Sequence, residues 1–290
     1  MAARLAVLTR TRMPQIRKIL FPVDFSDSSL GAARYVEYFA GQFQAEIMLL
    51  HAVGMGEHNL AEELLPQRKA RLDAFLADEL KYFTTERVCV TGDAATALMD
   101  TAAAWNPDLV MIPTHGLGYF RRHLLGSVTA KALHDLRCPV WTSVHAEVAP
   151  TLENIHCRRI LCAVDLTERS SFVLQWAAWL ARECDATLEI VHATPSLDAS
   201  AQVWAMAEEF QQSVRDRAHQ DLATLQKEAG TNAEGIVAAG VPAAVIAGAA
   251  KEFAADLLVI GRHDSEGFAG ALFQNAYAIL SQSPCPVISV

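Results

Sequence analysis

A chain of 290 residues with 52% hydrophobic and 20% charged residues has the make-up of a well-cored globular protein of about two domains, not of a disordered chain. Its formal net charge of −9 argues against a general nucleic-acid partner, which calls for a basic face. No apolar run approaches the roughly 20 residues that cross a bilayer, so no membrane partner is expected. The basic start (Arg4, Arg10, Arg12, Arg17, Lys18) lacks a sustained apolar stretch with a small-residue cleavage site and reads as a short extension, not a signal.

In chain order, apolar runs predict strands at 18–24, 46–52, 87–91, 108–113 and 138–144. Amphipathic stretches near 27–41, 58–82, 94–105 and 122–136 predict the helices between them. Ser26 or Asp27 caps the first of these helices and Asp93 the third. The strand runs are apolar almost throughout instead of alternating, as in a parallel sheet covered on both faces. The stretch 144–157, with Pro150 and no periodicity, is a linker, and the boundary is set between a unit at 1–145 and a unit at 146–290. Strands then follow near 158–164, 187–192, 234–238, 256–261 and 285–290, with helices near 168–183, 200–229, 242–254 and 270–282. Strand–helix alternation in both units predicts two tandem, doubly wound α/β sheets.

The second unit repeats the first. Ile19-Leu20-Phe21-Pro22-Val23-Asp24 returns as Ile160-Leu161-Cys162-Ala163-Val164-Asp165. Asp108-Leu109-Val110-Met111-Ile112 returns as Asp256-Leu257-Leu258-Val259-Ile260, and Cys138-Pro139-Val140 as Cys285-Pro286-Val287. Order and offset are kept, so the chain is a tandem duplication. Ligands of open α/β sheets bind outside the carboxyl ends of the strands, where strand order reverses. The positions that matter are therefore Asp24, His51, Pro113 and their copies.

After the fourth strand comes Pro113-Thr114-His115-Gly116, and nine residues later Gly126-Ser127-Val128-Thr129 opens a helix. Glycines allow close backbone approach, and free N–H groups at a helix start favour an anion such as phosphate. Ser127 and Thr129 add hydroxyl donors. A plain N-cap after a flexible connection accounts for the same residues equally well.

The strand ends Pro22-Val23-Asp24-Phe25-Ser26 and Leu49-Leu50-His51-Ala52-Val53 resemble those of the universal stress protein (UspA-type) superfamily. So do His115-Gly116 with Gly126-Ser127, Gly92-Asp93 and the closing Cys138-Pro139-Val140. The likeness runs through both halves. It implies two five-stranded parallel sheets of order 3-2-1-4-5, an adenine-nucleotide alpha-hydrolase-like fold. It implies an ATP or related adenine nucleotide, with magnesium, in the N-terminal domain only. Val23, Asp24 and Ala52 would then lie near the adenosine, and Gly116, Gly126, Ser127, Val128 and Thr129 at ribose and phosphates. The family's nucleotide-binding signature is Gly, two residues, Gly, nine residues, then Gly-Ser or Gly-Thr, and its first glycine falls on Pro113, which has no N–H. The second copy keeps Gly261-Arg262-His263 but puts Asp264 where the next glycine belongs. Opposite Gly126-Ser127 stand either Gln274-Asn275 or Phe273-Gln274, and neither restores Gly-Ser. A carboxylate beside a phosphate repels it by roughly 1–4 kcal/mol at contact. The second half is thus expected to be a degenerate partner, paired with the first as a pseudo-dimer through the last strands; homo-oligomerisation of the chain is left open.

Six cysteines (Cys89, Cys138, Cys157, Cys162, Cys184, Cys285) show no CxxC spacing and read as reduced and structural, with a cytoplasmic location as the default. His51 and His192 match across the copies, as do His115 and His263; strand-end hydrogen bonding explains them better than metal ligation, which needs converging carboxylates or thiols. Arg121-Arg122-His123 suits either an anion contact or a solvated helix start. There is no GxxxxGK[ST], GxSxG or HExxH, so no catalytic residue is assigned. Three functions stay open: a nucleotide-binding stress-response sensor with little or no catalysis, an interaction scaffold, and a slow ATPase or autophosphorylating protein.

Overall fold

The computed structural model of the protein describes residues 14–54, 61–114, 126–144, 146–148, 150–196, 204–262 and 269–290. In the first half β1 (Lys18–Pro22), β2 (Glu46–Val53), β3 (Thr85–Thr91), β4 (Leu109–Met111) and β5 (Val140–Thr142) alternate with α1 (Asp27–Phe43), α2 (Ala61–Ala74), α3 (Ala94–Trp105) and α4 (Ser127–Asp135). The second half runs β6 (Arg159–Ala163), α5 (Ser170–Glu183), β7 (Thr187–Thr194), α6 (Trp204–Ala229), β8 (Glu234–Ala239), α7 (Pro242–Glu252), β9 (Leu257–Ile260), α8 (Ala269–Gln282), β10 (Val287–Ser289).

The strands form one sheet of order β3-β2-β1-β4-β5-β10-β9-β6-β7-β8. Each half contributes five parallel strands in the expected 3-2-1-4-5 order. The two sheets do not remain separate: β5 and β10 pair antiparallel, with Thr142 opposite Val287 and Trp141 opposite Ile288. An edge strand of parallel pairing exposes unpaired N–H and C=O groups, and each half covers the other's edge. On one face the core is continuous through both halves, from Phe21 and Trp141 to Ile288 and Trp179. On the other face it splits into a cluster under α3 and α4 and a second under α7 and α8. Across the seam Phe43 stacks on Trp179 at 5.7 Å, and Gln42 Nε2 donates to the Glu183 carbonyl at 2.7 Å.

Caps follow the sequence. The Ser26 hydroxyl accepts from Ser29 N–H to start α1, and the Asp93 carboxylate accepts from Thr96 N–H at 2.8 Å to start α3. The expected helix 58–82 is shorter, ending at Ala74 because Leu76 turns left-handed at φ 54. The repeated Asp108 and Asp256 sit away from the strand ends where ligands bind. Asp108 accepts from the N–H groups of Arg17 and Lys18, and Asp256 from those of Arg158 and Arg159, tying each fourth strand to the start of the first.

Candidate functional site: two crevices at the strand ends

The chain leaves β1 toward β2 and returns across the sheet to β4, so a crevice opens between the carboxyl ends of β1 and β4. The same reversal recurs between β6 and β9.

Val23 follows β1, is buried, and donates its N–H to Leu50 O at 2.8 Å. Asp24 Oδ1 accepts from Ser26 N–H (3.0 Å), Ser26 Oγ (2.5 Å) and Ser29 Oγ (2.8 Å). With Phe25 at φ 62 this is a sharp turn that feeds α1. Asp165 repeats it, accepting from Thr167 N–H, Thr167 Oγ1 and Ser170 Oγ, with Leu166 at φ 60. The conserved geometry assigns this carboxylate oxygen to the turn in both halves. Ala52 is half-buried on β2 beside the turn.

His51, buried on β2, donates Nδ1–H to the Val23 carbonyl at 2.8 Å, which leaves the lone pair of the neutral ring on Nε2. Burial pushes its pKa below the ordinary histidine range; Arg68 and Arg71 add to this, while the Val23 carbonyl and Asp24 oppose it. Phe25 lies 4.4 Å from the His51 ring, and the Arg71 guanidinium lies 4.3 Å over Phe25. The sequence reading gave no role to Phe25, Arg68 or Arg71; Phe25 stood only inside the quoted strand end, and the basic run Arg68-Lys69-Ala70-Arg71 is the trace of the other two. His192 makes the matching bond to Val164 O at 2.9 Å, so this histidine pair is built into the strand ends.

On the other wall, Thr114 is buried; its N–H and hydroxyl both donate to Ser143 O, and its carbonyl accepts from Gly126 N–H at 2.9 Å. Thr129 is buried too, and its hydroxyl donates to the Pro113 carbonyl at 3.0 Å. What Thr129 has for an anion is its N–H, not its hydroxyl. Gly126 is the N-cap of α4, and a Cβ there would stand 3.3 Å from Thr114 O, so glycine keeps the two backbones close. Ser127 is exposed, and Val128 packs partly into the core below. The first-turn N–H groups of α4 have no side-chain cap from Gly126 and point out of the helix. Gly116 lies outside the described residues, as do His115, Arg121, Arg122, His123, His263 and Asp264.

The second crevice is built differently. The helix C-termini match, with Leu136 N–H on Ala132 O and Ser283 N–H on Ile279 O. Counting back from them, Phe273 and Gln274 stand where Gly126 and Ser127 stand. Both lie inside α8, which begins at Ala269. Their amides are bonded within the helix, so the anion-binding end is gone. A cavity of about 210 Å³ remains, lined by Val164, Asp165, His192, Gly261, Arg262 and Ile279 among others. Arg262 reaches across the seam to the end of α4: Nη1 donates to the carbonyls of Ala132 and Leu133, and Nη2 to that of Cys138 at 2.5 Å. Among the described residues no three His, Cys, Asp or Glu side chains gather as a metal site, and no helix is long and apolar enough to cross a membrane.

Comparison with known proteins fits this duplicated architecture. A universal stress protein of Methanocaldococcus jannaschii is 30% identical over 138 residues, covering 43% of this chain and 79% of that protein. A universal stress protein A homolog of Coxiella burnetii is 29% identical over 140 residues, covering 47% of this chain and 97% of its own. Whole-chain likeness comes from solved structures. A universal stress protein structure from Pseudomonas aeruginosa matches 96% of this chain and 94% of its own at TM-score 0.67 and 20% identity. One from Archaeoglobus fulgidus matches 95% and 96% at TM-score 0.64, also at 20% identity. The family model described as the universal stress protein family matches residues 15–143 and again 156–290. With two matches in tandem over most of its length, the chain belongs to the universal stress protein family as a tandem-domain member.

Proposed function

We propose that the first half binds an adenine nucleotide and that the protein is a nucleotide-responsive regulator in which the second half is a structural partner. The observation that carries this is the difference between α4 and α8. The first opens at Gly126-Ser127 beside the crevice, and the second runs through the same position. In this reading the base lies near Val23, Asp24 and Ala52, the Phe25–His51 pair offers an aromatic wall, and the phosphates meet the N–H groups of Ser127, Val128 and Thr129. Magnesium arrives with the nucleotide. Pro113, which brings no N–H, supports the rival scaffold reading.

Turnover is expected to fall far below the common enzyme range of about 1–1000 per second. Phosphoryl transfer needs positioned cations and an oriented nucleophile, and Asp24 Oδ1 already serves the turn. Phosphate release under saturating ATP, with Gly126→Asp as control for contaminants, measures this. Turnover of several per second that vanishes in the control would make the protein an enzyme. Mass spectrometry of small molecules released from freshly purified, denatured protein tests binding itself: an adenine nucleotide at no more than one per chain is expected. None released, together with no calorimetric binding of ATP and magnesium, would favour the scaffold.

A further inference from the structure

Two cysteines that the nucleotide reading does not use meet at the seam between the halves. Cys157 ends the connecting segment just before β6, and Cys184 is the C-cap of α5. Their chains run into the sheet side by side: Arg159 pairs with Thr187, and Thr187 N–H donates to Arg158 O at 2.7 Å. That register brings Cys157 and Cys184 to the same end of the β6–β7 pair, and both pack into one core cluster. The backbone holds Cys184: its N–H is bonded to Leu180 O and the next residue, Asp185, turns at φ 51. Cys157 is buried and Cys184 half-buried, so a small reagent meets the Cys184 sulfur first.

We propose that Cys157 and Cys184 are an oxidation site that closes to an intramolecular disulfide with hydrogen peroxide, Cys184 attacking and Cys157 resolving. The Cys184 thiolate attacks one peroxide oxygen and breaks the O–O bond, giving a sulfenic acid and hydroxide, which takes up the proton Cys184 has shed. The Cys157 sulfur then displaces that hydroxyl from the Cys184 sulfur and gives up its own proton, and the hydroxyl leaves as water. Two thiols and one peroxide become one disulfide and two waters. The asymmetry of the pair suits these roles. The neighbouring Cys157 thiol holds Cys184 below the ordinary thiol range, against burial and the Glu183 charge, while Cys184 and burial push Cys157 up. The other thiols are raised by burial: Cys138 and Cys285 to about 11, Cys162 to about 12, and Cys89 upward.

The test treats the full chain with hydrogen peroxide, denatures it, alkylates the remaining thiols and maps them by mass spectrometry. The wild type should lose two of its six thiols and yield one linked pair of peptides carrying Cys157 and Cys184. Cys157→Ser should instead trap a dimedone-reactive sulfenic acid on Cys184, and Cys184→Ser should leave its five thiols intact. Six thiols surviving in the wild type, a bridge between any other two cysteines, or a bridge between chains overturns the proposal. Peptide mapping of the wild type alone decides it if a variant fails to fold.

Discussion

At the level of single residues, Asp24 shows how a legible motif carries two meanings. The Val-Asp strand end was plain in the sequence as a repeated ligand-side position, and the structure puts it at the crevice. Its Oδ1 nonetheless makes the same three bonds as Asp165 in the half that lacks the helix-start amides. A single-residue signal cannot separate turn chemistry from ligand chemistry, because both want a short acidic acceptor at a strand end. Arg68 and Arg71 were not legible for another reason: they reach the site only through α2 packing back on β2 and β3, and Phe25, though next to Asp24, shows its role only through its contacts with His51 and Arg71. His51 gives a pH prediction. Its folded pKa lies below the unfolded value of about 6.5, so on acidification the unfolded chain binds the proton first. Stability should therefore fall as pH drops below about 6.5, with a slope from this group of at most about 1.4 kcal/mol per pH unit, and level off once the folded ring also protonates. Urea titrations from pH 5 to 8 should show that part of the slope missing in His51→Gln, which keeps a donor for Val23 O. An unchanged slope would remove His51 from the account.

Among the elements, α4 and α8 carry the functional asymmetry. The loss of Gly-Ser in the second copy was visible in the sequence, but not the reason it matters. Only the matched C-termini show that α8 extends through the position, since the alignment left two registers open. The pairing of Gly261 and Pro113 also has a packing reason. A Cβ on Gly261 would lie 2.9 Å from Val173 Cγ2, and the residue at the same place in α1 is the smaller Ala32. Arg262 was read only as part of a decayed loop. Its role needs the other half, because it donates to the Leu133 and Cys138 carbonyls at and beyond the end of α4, where a helix runs out of its own donors, and shares Ala132 O with Leu136 N–H. Hydrogen bonds to a charged donor contribute about 1.5–3 kcal/mol each before shared losses are counted. Arg262→Ala should cost about 2–4 kcal/mol in chemical denaturation, and Arg262→Lys should recover little because it lacks the planar fork. A cost within about 0.5 kcal/mol, typical of a surface site, would contradict the clamp.

The molecule as a whole is one sheet made from two legible halves. The order of strands within each half and the pairing through β5 and β10 followed from the repeat and the family resemblance, since each last strand was an apolar edge in need of cover. The contacts of α1 on α5 were not legible, because facing side chains from distant segments leave no periodic signature. Phe43 and Trp179 should couple: the double-mutant cycle with alanine should give about 0.5–1.5 kcal/mol beyond the sum of the singles. Strict additivity would mean the halves do not communicate through this stack. The central claim, one nucleotide per chain in the first half, is tested most directly by calorimetry with ATP and magnesium on the wild type, Gly126→Ala, Gly126→Asp and Asp264→Ala. Gly126→Ala controls for the added Cβ, which lies 3.3 Å from Thr114 O. The account predicts at most one site per chain, abolished by Gly126→Asp, weakened less by Gly126→Ala, and little changed by Asp264→Ala. Two equivalent sites, or binding that survives Gly126→Asp and is lost on changing only the second half, would contradict it.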